Sequence, residues 1–396
     1  MGPHLRLPHV QNVQRRNAVQ PHPDIVSRTS PKFQLNPEQV ILPDGRMLGY
    51  AEYGSPNGRP LLYFHGFPTS RLEASGLHSM ALNRGIRLLS LDRPGFGAST
   101  HDPHRRIMDW PVDVQAFAAE LGLSRFAVLG VSGGGPYALA CARQLPAKML
   151  SAVGVLAGAP LWDHGVWTKG IPWYARLTYL MGNYWPSVLK FLSAILVTLA
   201  RWIMTTRLVE ERIDRTLVAM TKAEVARSKN TKAYDRWEEE ATPLVTETNV
   251  KQDKDLSEPL PSIKERRERL VALIFEGFTQ GTSGFVQETQ LLTRDWGFRF
   301  EDIEYDQVQI WHGLRDMNAP VGSIRNMSRR MPHCILKEYD DNHFSIGDHF
   351  EEVLDEIVTR FDPTMIGRTT DDRIERLSRN EGEILTRGRS SSVGAR

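Results

Sequence analysis

An α/β fold is predicted, with a mostly parallel central sheet, helices on both faces and an inserted helical cap. Three observations predict it. Short apolar runs alternate with helical periodicity from residue 40 to 156, that rhythm stops between about Leu161 and Gly297, and it resumes at Val308. Strand alternating with helix implies βαβ crossovers, hence parallel strands buried on both faces.

The first elements form a hairpin. Val40-Ile41-Leu42 runs into Pro43-Asp44-Gly45-Arg46 and then Met47 to Tyr53; Pro fixes φ in the turn and Gly permits φ > 0. Pro60 to Phe64 reads as the next strand, followed by a helical stretch near Leu72 to Arg84 and a strand at Ile86 to Leu91. Phe126 to Leu129 and Ala152 to Leu156 continue the series, with helical periodicity over Val112 to Leu121 and Pro136 to Arg143. After the interruption, Val308 to Trp311 and Cys334 to Leu336 read as strands.

The interruption carries long helical patterns and seven of the nine tryptophans: Trp162, Trp167, Trp173, Trp185, Trp202, Trp237 and Trp296. Such an insert suits a lid over a pocket for an apolar substrate, or aromatics that dock the insert onto the core. Val188 to Met204 is the most hydrophobic stretch, but Lys190 and Arg201 limit its uncharged run to Phe191 to Ala200, short of the roughly 20 apolar residues a membrane span needs. The expectation is a lid helix, apolar over most of its surface, with a weakly polar stripe of Lys190, Ser193, Ala194, Val197, Thr198 and Arg201; no integral span is predicted, and peripheral membrane contact through the cap is the alternative.

Composition narrows the function classes. The 396 residues are 41% hydrophobic and 24% charged, which disfavours wholesale disorder, collagen-like repeats and a coiled-coil rod. A net charge of +2 removes the electrostatic reason to propose nucleic-acid binding. Cys141 and Cys334 are too few for a disulfide framework and too far apart for a zinc site, so a reducing compartment is expected. Residues 1–36 read as a disordered arm: Arg6, Arg15, Arg16 and Arg28 face only Asp24, faintly like a mitochondrial presequence, but prolines break any long amphipathic helix. Cytoplasmic location is the expectation, with the mitochondrion as alternative. The polar tail 364–396 lacks a core-forming pattern.

The chemistry centres on Leu129-Gly130-Val131-Ser132-Gly133-Gly134-Gly135-Pro136, a Gly-x-Ser-x-Gly at a strand-to-helix turn. Such a sharp turn strains the central residue and lifts its side chain above the sheet, while Gly130 and Gly134 must be small because strand and helix backbones nearly touch. Ser132 is therefore the candidate nucleophile. A serine hydroxyl needs a base, the base an orienting carboxylate, and the oxyanion donors. Asp316 follows the strand at Val308 and His343 follows the strand at Cys334, giving the chain order Ser132, Asp316, His343. The Gly133 amide and an amide from Phe64-His65-Gly66-Phe67-Pro68, assigned to Phe67, are the expected oxyanion donors; His65 and Gly66 are substrate-pocket candidates. Asp163 is a competing acid and His349 a competing base. His312, Ser99 and Ser283 read as structural, and Asp92 reads as a turn-stabilising carboxylate with a pocket role as the alternative.

These motifs resemble those of the α/β-hydrolase fold superfamily, in its serine esterase/lipase-like branch with a helical cap. The matching marks are His65-Gly66-Phe67-Pro68, Asp92-Arg93-Pro94-Gly95-Phe96-Gly97, Gly130 to Gly134, Trp311 to Asp316 and His343, spanning about Glu38 to Phe361. Epoxide hydrolases and haloalkane dehalogenases resemble the chain at His65 to Pro68 but use an aspartate nucleophile; Ser at position 132 argues against both activities. The reading is one catalytic domain in two segments, 37–160 and 298–363, split by a cap of 161–297. It would cleave a fairly apolar small-molecule carboxylic ester through an acyl-enzyme, with no cofactor or metal. Peptidase, C–C bond hydrolase, thioesterase and acyltransferase chemistry are alternatives with the same triad, as is a slow-turnover small-molecule receptor or pseudoenzyme.

Overall fold

The computed structural model describes residues 38–161, 171–222 and 262–361. The N-terminal arm, the C-terminal tail, Trp162, Asp163, Trp167 and Trp237 lie outside the described residues. The strands are β1 (Glu38–Ile41), β2 (Met47–Gly54), β3 (Arg59–Phe64), β4 (Ile86–Leu91), β5 (Phe126–Val131), β6 (Leu150–Leu156), β7 (Val308–Gly313) and β8 (Cys334–Tyr339). They form one sheet in the order β1-β2-β4-β3-β5-β6-β7-β8. β1 and β2 pair antiparallel, β2 meets β4 antiparallel, and every other pairing is parallel.

The helices are α1 (His78–Asn83), α2 (Trp110–Glu120), α3 (Gly135–Gln144), α4 (Trp173–Tyr184), α5 (Pro186–Met204), α6 (residues 207–222), α7 (Ile263–Phe275), α8 (Ser283–Thr293), α9 (Val321–Arg330) and α10 (Phe350–Thr359). The predicted helix near Leu72 to Arg84 is instead a 3-10 segment, Arg71–Leu77, running into α1. Gly76 near its end and Ser70 at its start, whose Oγ accepts from the Leu72 amide, favour a short tight turn over a long helix.

Successive strand residues serve opposite faces, as the two-residue period demands. Leu62, Phe64, Val128, Val153 and Ile310 pack with α2, α3 and α9, whereas Leu61, Tyr63, Leu129, Leu156 and Trp311 pack with α1 and α10. Both faces are therefore covered, which is why the inner strands read as continuous apolar runs.

The insert rises from β6 as α4, α5 and α6 and returns through α7 and α8. Gly182 of α4 lies so close to α8 that an added Cβ would stand 2.6 Å from Thr289 Cγ2, and one on Gly284 of α8 would stand 2.3 Å from the Gly95 carbonyl oxygen. Ser262 and Glu265 form a reciprocal cap at the start of α7.

The α5 helix spans 19 residues, so by length and composition alone it could cross a bilayer, although Lys190 and Arg201 still limit its uncharged run to Phe191 to Ala200. The expected polar stripe divides. Leu189 and Ser193 are buried and Val197 and Ala200 half-buried, on the face toward the protein, while Lys190, Ala194, Thr198 and Arg201 are exposed. The larger apolar side chains, Phe191, Leu192, Ile195, Leu196, Leu199 and Trp202, point outward. On α4, Trp173, Leu177, Leu180 and Tyr184 are likewise exposed, so these aromatics do not dock the insert onto the core. Trp296 does: it is buried and packs edge-on to Phe300.

Candidate active site

The carboxyl ends of the parallel strands share one edge of the sheet, and the loops leaving β5, β7 and β8 there carry Ser132, Asp316 and His343. Ser132 directly follows β5 in the centre of the sheet, where Gly130 is in register with Phe64 of β3 and Val131 with Leu156 of β6. Its φ is +49°, a conformation L residues rarely adopt. The flanking glycines allow it: a Cβ on Gly130 would stand 2.3 Å from the Gly134 carbonyl oxygen, and one on Gly134 would stand 2.1 Å from that of Phe64. The Ser132 carbonyl accepts from the Ala159 amide at 2.8 Å, which ties the turn to the chain leaving β6.

Ser132 Oγ lies 3.0 Å from His343 Nε2, and His343 Nδ1 lies 2.7 Å from Asp316 Oδ2. The second oxygen of Asp316 accepts from the Asn318 and Ala319 amides, both at 2.8 Å. The carboxylate is thus fixed by its own loop while its free oxygen faces the imidazole. With the ring proton on Nδ1 toward Asp316, Nε2 is left to accept from the Ser132 hydroxyl. The two loops are joined backbone to backbone: the Arg315 amide donates to Asp341 at 2.8 Å, and Asn342 Oδ1 accepts from the Phe344 and Ser345 amides, shaping the turn that presents His343. The imidazole is only slightly exposed and the Asp316 side chain is fully buried.

Phe67 and Gly133 meet beside the serine. A Cβ on Gly133 would fall 2.7 Å from Phe67 Cβ and 3.3 Å from its amide nitrogen. Both residues, with Ser132 and His343, line a cavity of about 300 Å³ closed by Tyr174, Thr178 and Tyr179 of α4 and by Phe285 and Leu292 of α8. The Phe67 ring stacks on Phe285 at 5.0 Å with planes 16° apart, joining the β3 loop to the cap. These cap residues had no sequence motif; Phe285 and Leu292 sit seven positions apart on α8, and that spacing was the available signal. A second cavity, of about 430 Å³, lies between residues 103–108 and α8 and is not lined by Ser132, Asp316 or His343.

His65 and Gly66 do not line the pocket, contrary to expectation. The His65 ring is fully buried and turned away, its Nδ1 2.7 Å from the Gly66 carbonyl and its Nε2 accepting from the Arg93 amide at 3.2 Å. Burial first, then the Arg93 guanidinium, holds this imidazole well below its ordinary range, so it is a neutral brace for the loop. Gly66 is equally occupied: its amide donates to Glu73, at 3.0 and 3.1 Å, and its carbonyl accepts from Arg93 and Thr69.

Among the other singled-out residues, Asp92 accepts from the Arg71 amide and guanidinium and from the Ala98 amide, so it holds its turn. Ser99 Oγ donates to the Asp92 carbonyl. His312 Nε2 is 2.7 Å from the Ala319 carbonyl, and His349 is paired with Asp341. Burial raises the thiols of Cys141 and Cys334, the latter to about 12, which makes both poor nucleophiles. Among the described residues no three His, Cys, Asp or Glu side chains are grouped to hold a metal ion.

Residues 61–288 match the model of the alpha/beta hydrolase family, more than half of the chain. The chain belongs to that family. Among curated proteins, the chain is similar to a non-heme haloperoxidase of Rhodococcus erythropolis, 35% identical over 124 residues, and to a non-heme chloroperoxidase of Streptomyces lividans, 32% identical over 124 residues. Each match covers 31% of the chain and less than half of the relative, 44% and 45%. Among solved structures, a bromoperoxidase from Bacillus anthracis superposes with a TM-score of 0.52 at 13% identity, covering 82% of this chain and 99% of that one. An esterase from Exiguobacterium antarcticum gives 0.50 at 15% identity, covering 81% and 98%. At these identities the structures share the α/β-hydrolase fold with this protein.

Proposed function

We propose that this α/β-hydrolase chain is a serine-dependent carboxylic ester hydrolase acting on a fairly apolar small molecule. The observation that carries this reading is Ser132 Oγ, held at positive φ, 3.0 Å from an imidazole whose other nitrogen is 2.7 Å from Asp316. In the proposed cycle His343 Nε2 removes the hydroxyl proton as Ser132 attacks the carbonyl carbon, and Asp316 stabilises the resulting imidazolium. The Gly133 and Phe67 amides hold the oxyanion. The Gly133 amide lies at the start of α3, where the helix dipole favours negative charge. The imidazolium then protonates the leaving alcohol, and a water molecule, deprotonated by the same nitrogen, releases the acid and restores Ser132.

The substrate class rests on the lining. Phe67, Tyr174, Phe285 and Leu292 present mostly apolar surface around the reacting hydroxyl, which suits an uncharged acyl or alcohol group.

A fluorophosphonate probe tests the nucleophile, and a series of esters of increasing acyl length tests the substrate. Covalent labelling that disappears in Ser132→Ala, with turnover of apolar esters, is expected. Labelling that survives in Ser132→Ala would overturn the nucleophile; labelling without turnover of any ester would replace the hydrolase reading with a ligand-binding one.

A further inference from the structure

We infer that the outer face of α4 and α5 docks on an anionic phospholipid bilayer, with α5 lying in the interface. Of the 19 residues of α5 only Leu189 and Ser193 are buried, so the most hydrophobic segment of the chain is among its least covered. Soluble monomers rarely present contiguous apolar surface on this scale without a partner.

Three features select lipid over a second protein. Protein interfaces carry about one hydrogen bond per 100–200 Å², yet between Phe191 and Ala200 Thr198 is the sole exposed side chain able to make one. The Ser193 hydroxyl is turned back to the Lys190 carbonyl within its own helix. An outward face with so few polar groups matches a medium that offers none in return.

Charge is the second feature. Residues 171–204 contain three cations, Arg176, Lys190 and Arg201, and no carboxylate; Lys190 is exposed, while the Arg201 guanidinium is turned toward Phe275. In a chain with nearly balanced charge, that local excess complements anionic headgroups. The aromatic residues are the third: Trp173, Tyr184, Trp185 and Trp202 stand at the ends of α4 and α5, around an aliphatic middle. Their amphipathic rings suit the headgroup level at which an interfacial helix lies, and the outward leucines and isoleucines can enter the acyl boundary.

Anchoring decides between lying on the bilayer and crossing it. The α5 helix packs against α4, α7 and α8; the Lys190 backbone carbonyl accepts from Thr282 at 3.0 Å, and Arg201 donates to the Phe275 carbonyl at 3.1 Å. Crossing would strip both ends of these partners, whereas lying flat keeps them. The same docking brings the catalytic cavity to the lipid, because α4 lines that cavity with Ala175 and Thr178 while Tyr174, which also lines it, is more than half exposed at its rim. The docking surface stands on the cap geometry and is independent of the chemistry assigned to Ser132.

Co-sedimentation of the full chain with vesicles tests it. Phosphatidylcholine vesicles with and without phosphatidylglycerol are compared for the wild type and for the double variant Phe191→Glu/Leu196→Glu. The wild type is expected to partition onto the anionic vesicles more strongly than onto neutral ones, with salt weakening the difference. The double variant should partition at least about a hundredfold more weakly, about tenfold or more for each buried side chain lost, while keeping its circular dichroism and its rate on a water-soluble ester. Ser132→Ala should bind vesicles like the wild type, which separates failure of the surface from failure of the catalytic reading. Absence of wild-type partitioning, equal binding to both vesicle types, or unchanged binding by the double variant would overturn the inference. So would a dimer in sedimentation velocity that the double variant dissolves without any vesicle binding.

Discussion

Arg93 Nε donates to Glu288 Oε1 at 2.8 Å, and neither side chain reaches solvent. The pair links the loop after β4 to α8 of the cap. Arg105 and Tyr137 complete the grip by donating to the other glutamate oxygen at 2.5 and 2.8 Å. The Arg93 guanidinium also reaches the His65 and Gly66 carbonyls, so one buried cation ties the β3 loop, the β4 loop and the cap together.

Removing the glutamate charge should therefore be severe. Glu288→Gln leaves Arg93 and Arg105 buried without a counter-charge, and a loss of about 3–5 kcal/mol is expected. Urea denaturation followed by fluorescence measures it; a variant as stable as the wild type would show that the pair does not anchor the cap.

Stability should fall on the acid side of pH 6.5 through His65. Its folded-state pKa is depressed, by burial first and then by Arg93, from an ordinary value of 6.5. Below that pH the unfolded chain takes up a proton that the folded chain refuses, so the unfolded state binds more protons and stability rises with pH. The contribution is complete above the unfolded value and declines by up to about 1.4 kcal/mol per pH unit below it. Urea midpoints across pH 5 to 8 should show a shallower slope in His65→Gln than in the wild type.

Asp316→Asn should separate orientation from binding. The Asn318 and Ala319 amides would retain the asparagine oxygen, leaving its NH₂ to face His343 Nδ1. The ring would then carry its proton on Nε2 and could not accept from Ser132. A fall in kcat of about 10³–10⁴ with KM little changed is expected on an ester substrate.

The glycines give a stability contrast within one chain. Gly134→Ala forces a Cβ to within 2.1 Å of a strand carbonyl, and loss of more than about 4 kcal/mol or of soluble folded protein is expected. Gly76→Ala meets nothing within 4 Å, so its effect should stay within about 0.5 kcal/mol. Thermal unfolding of the two variants side by side checks both.

The sheet was legible because its inner strands are buried on both faces and so must be continuously apolar. Phe126 to Leu129 and Ala152 to Leu156 could be read without a partner. The elbow was legible for a related reason: Gly130, Ser132 and Gly134 answer a backbone crowding that depends only on a strand turning at once into a helix. The short α9 and α10 were not assigned, since their few inward residues, Ile324 and Met327 or Val353, Leu354 and Ile357, become a pattern only against the sheet. The sequence does not show that His65 is withdrawn from the pocket, because the Arg93 amide that donates to its Nε2 lies 28 residues away.

By itself the sequence determined the α/β fold class, the sharp turn at Ser132, and the chain order in which Asp316 and His343 follow it. Those features are local, set by periodicity, by glycine and by the loops after particular strands. Tertiary structure alone decided that Ser132, His343 and Asp316 stand within hydrogen-bonding reach, that Glu288 clamps the cap, and that the apolar side of α5 faces outward. Each of those depends on groups brought together from far apart in the chain, and a helix's period reveals an apolar face without revealing which side the rest of the protein will cover.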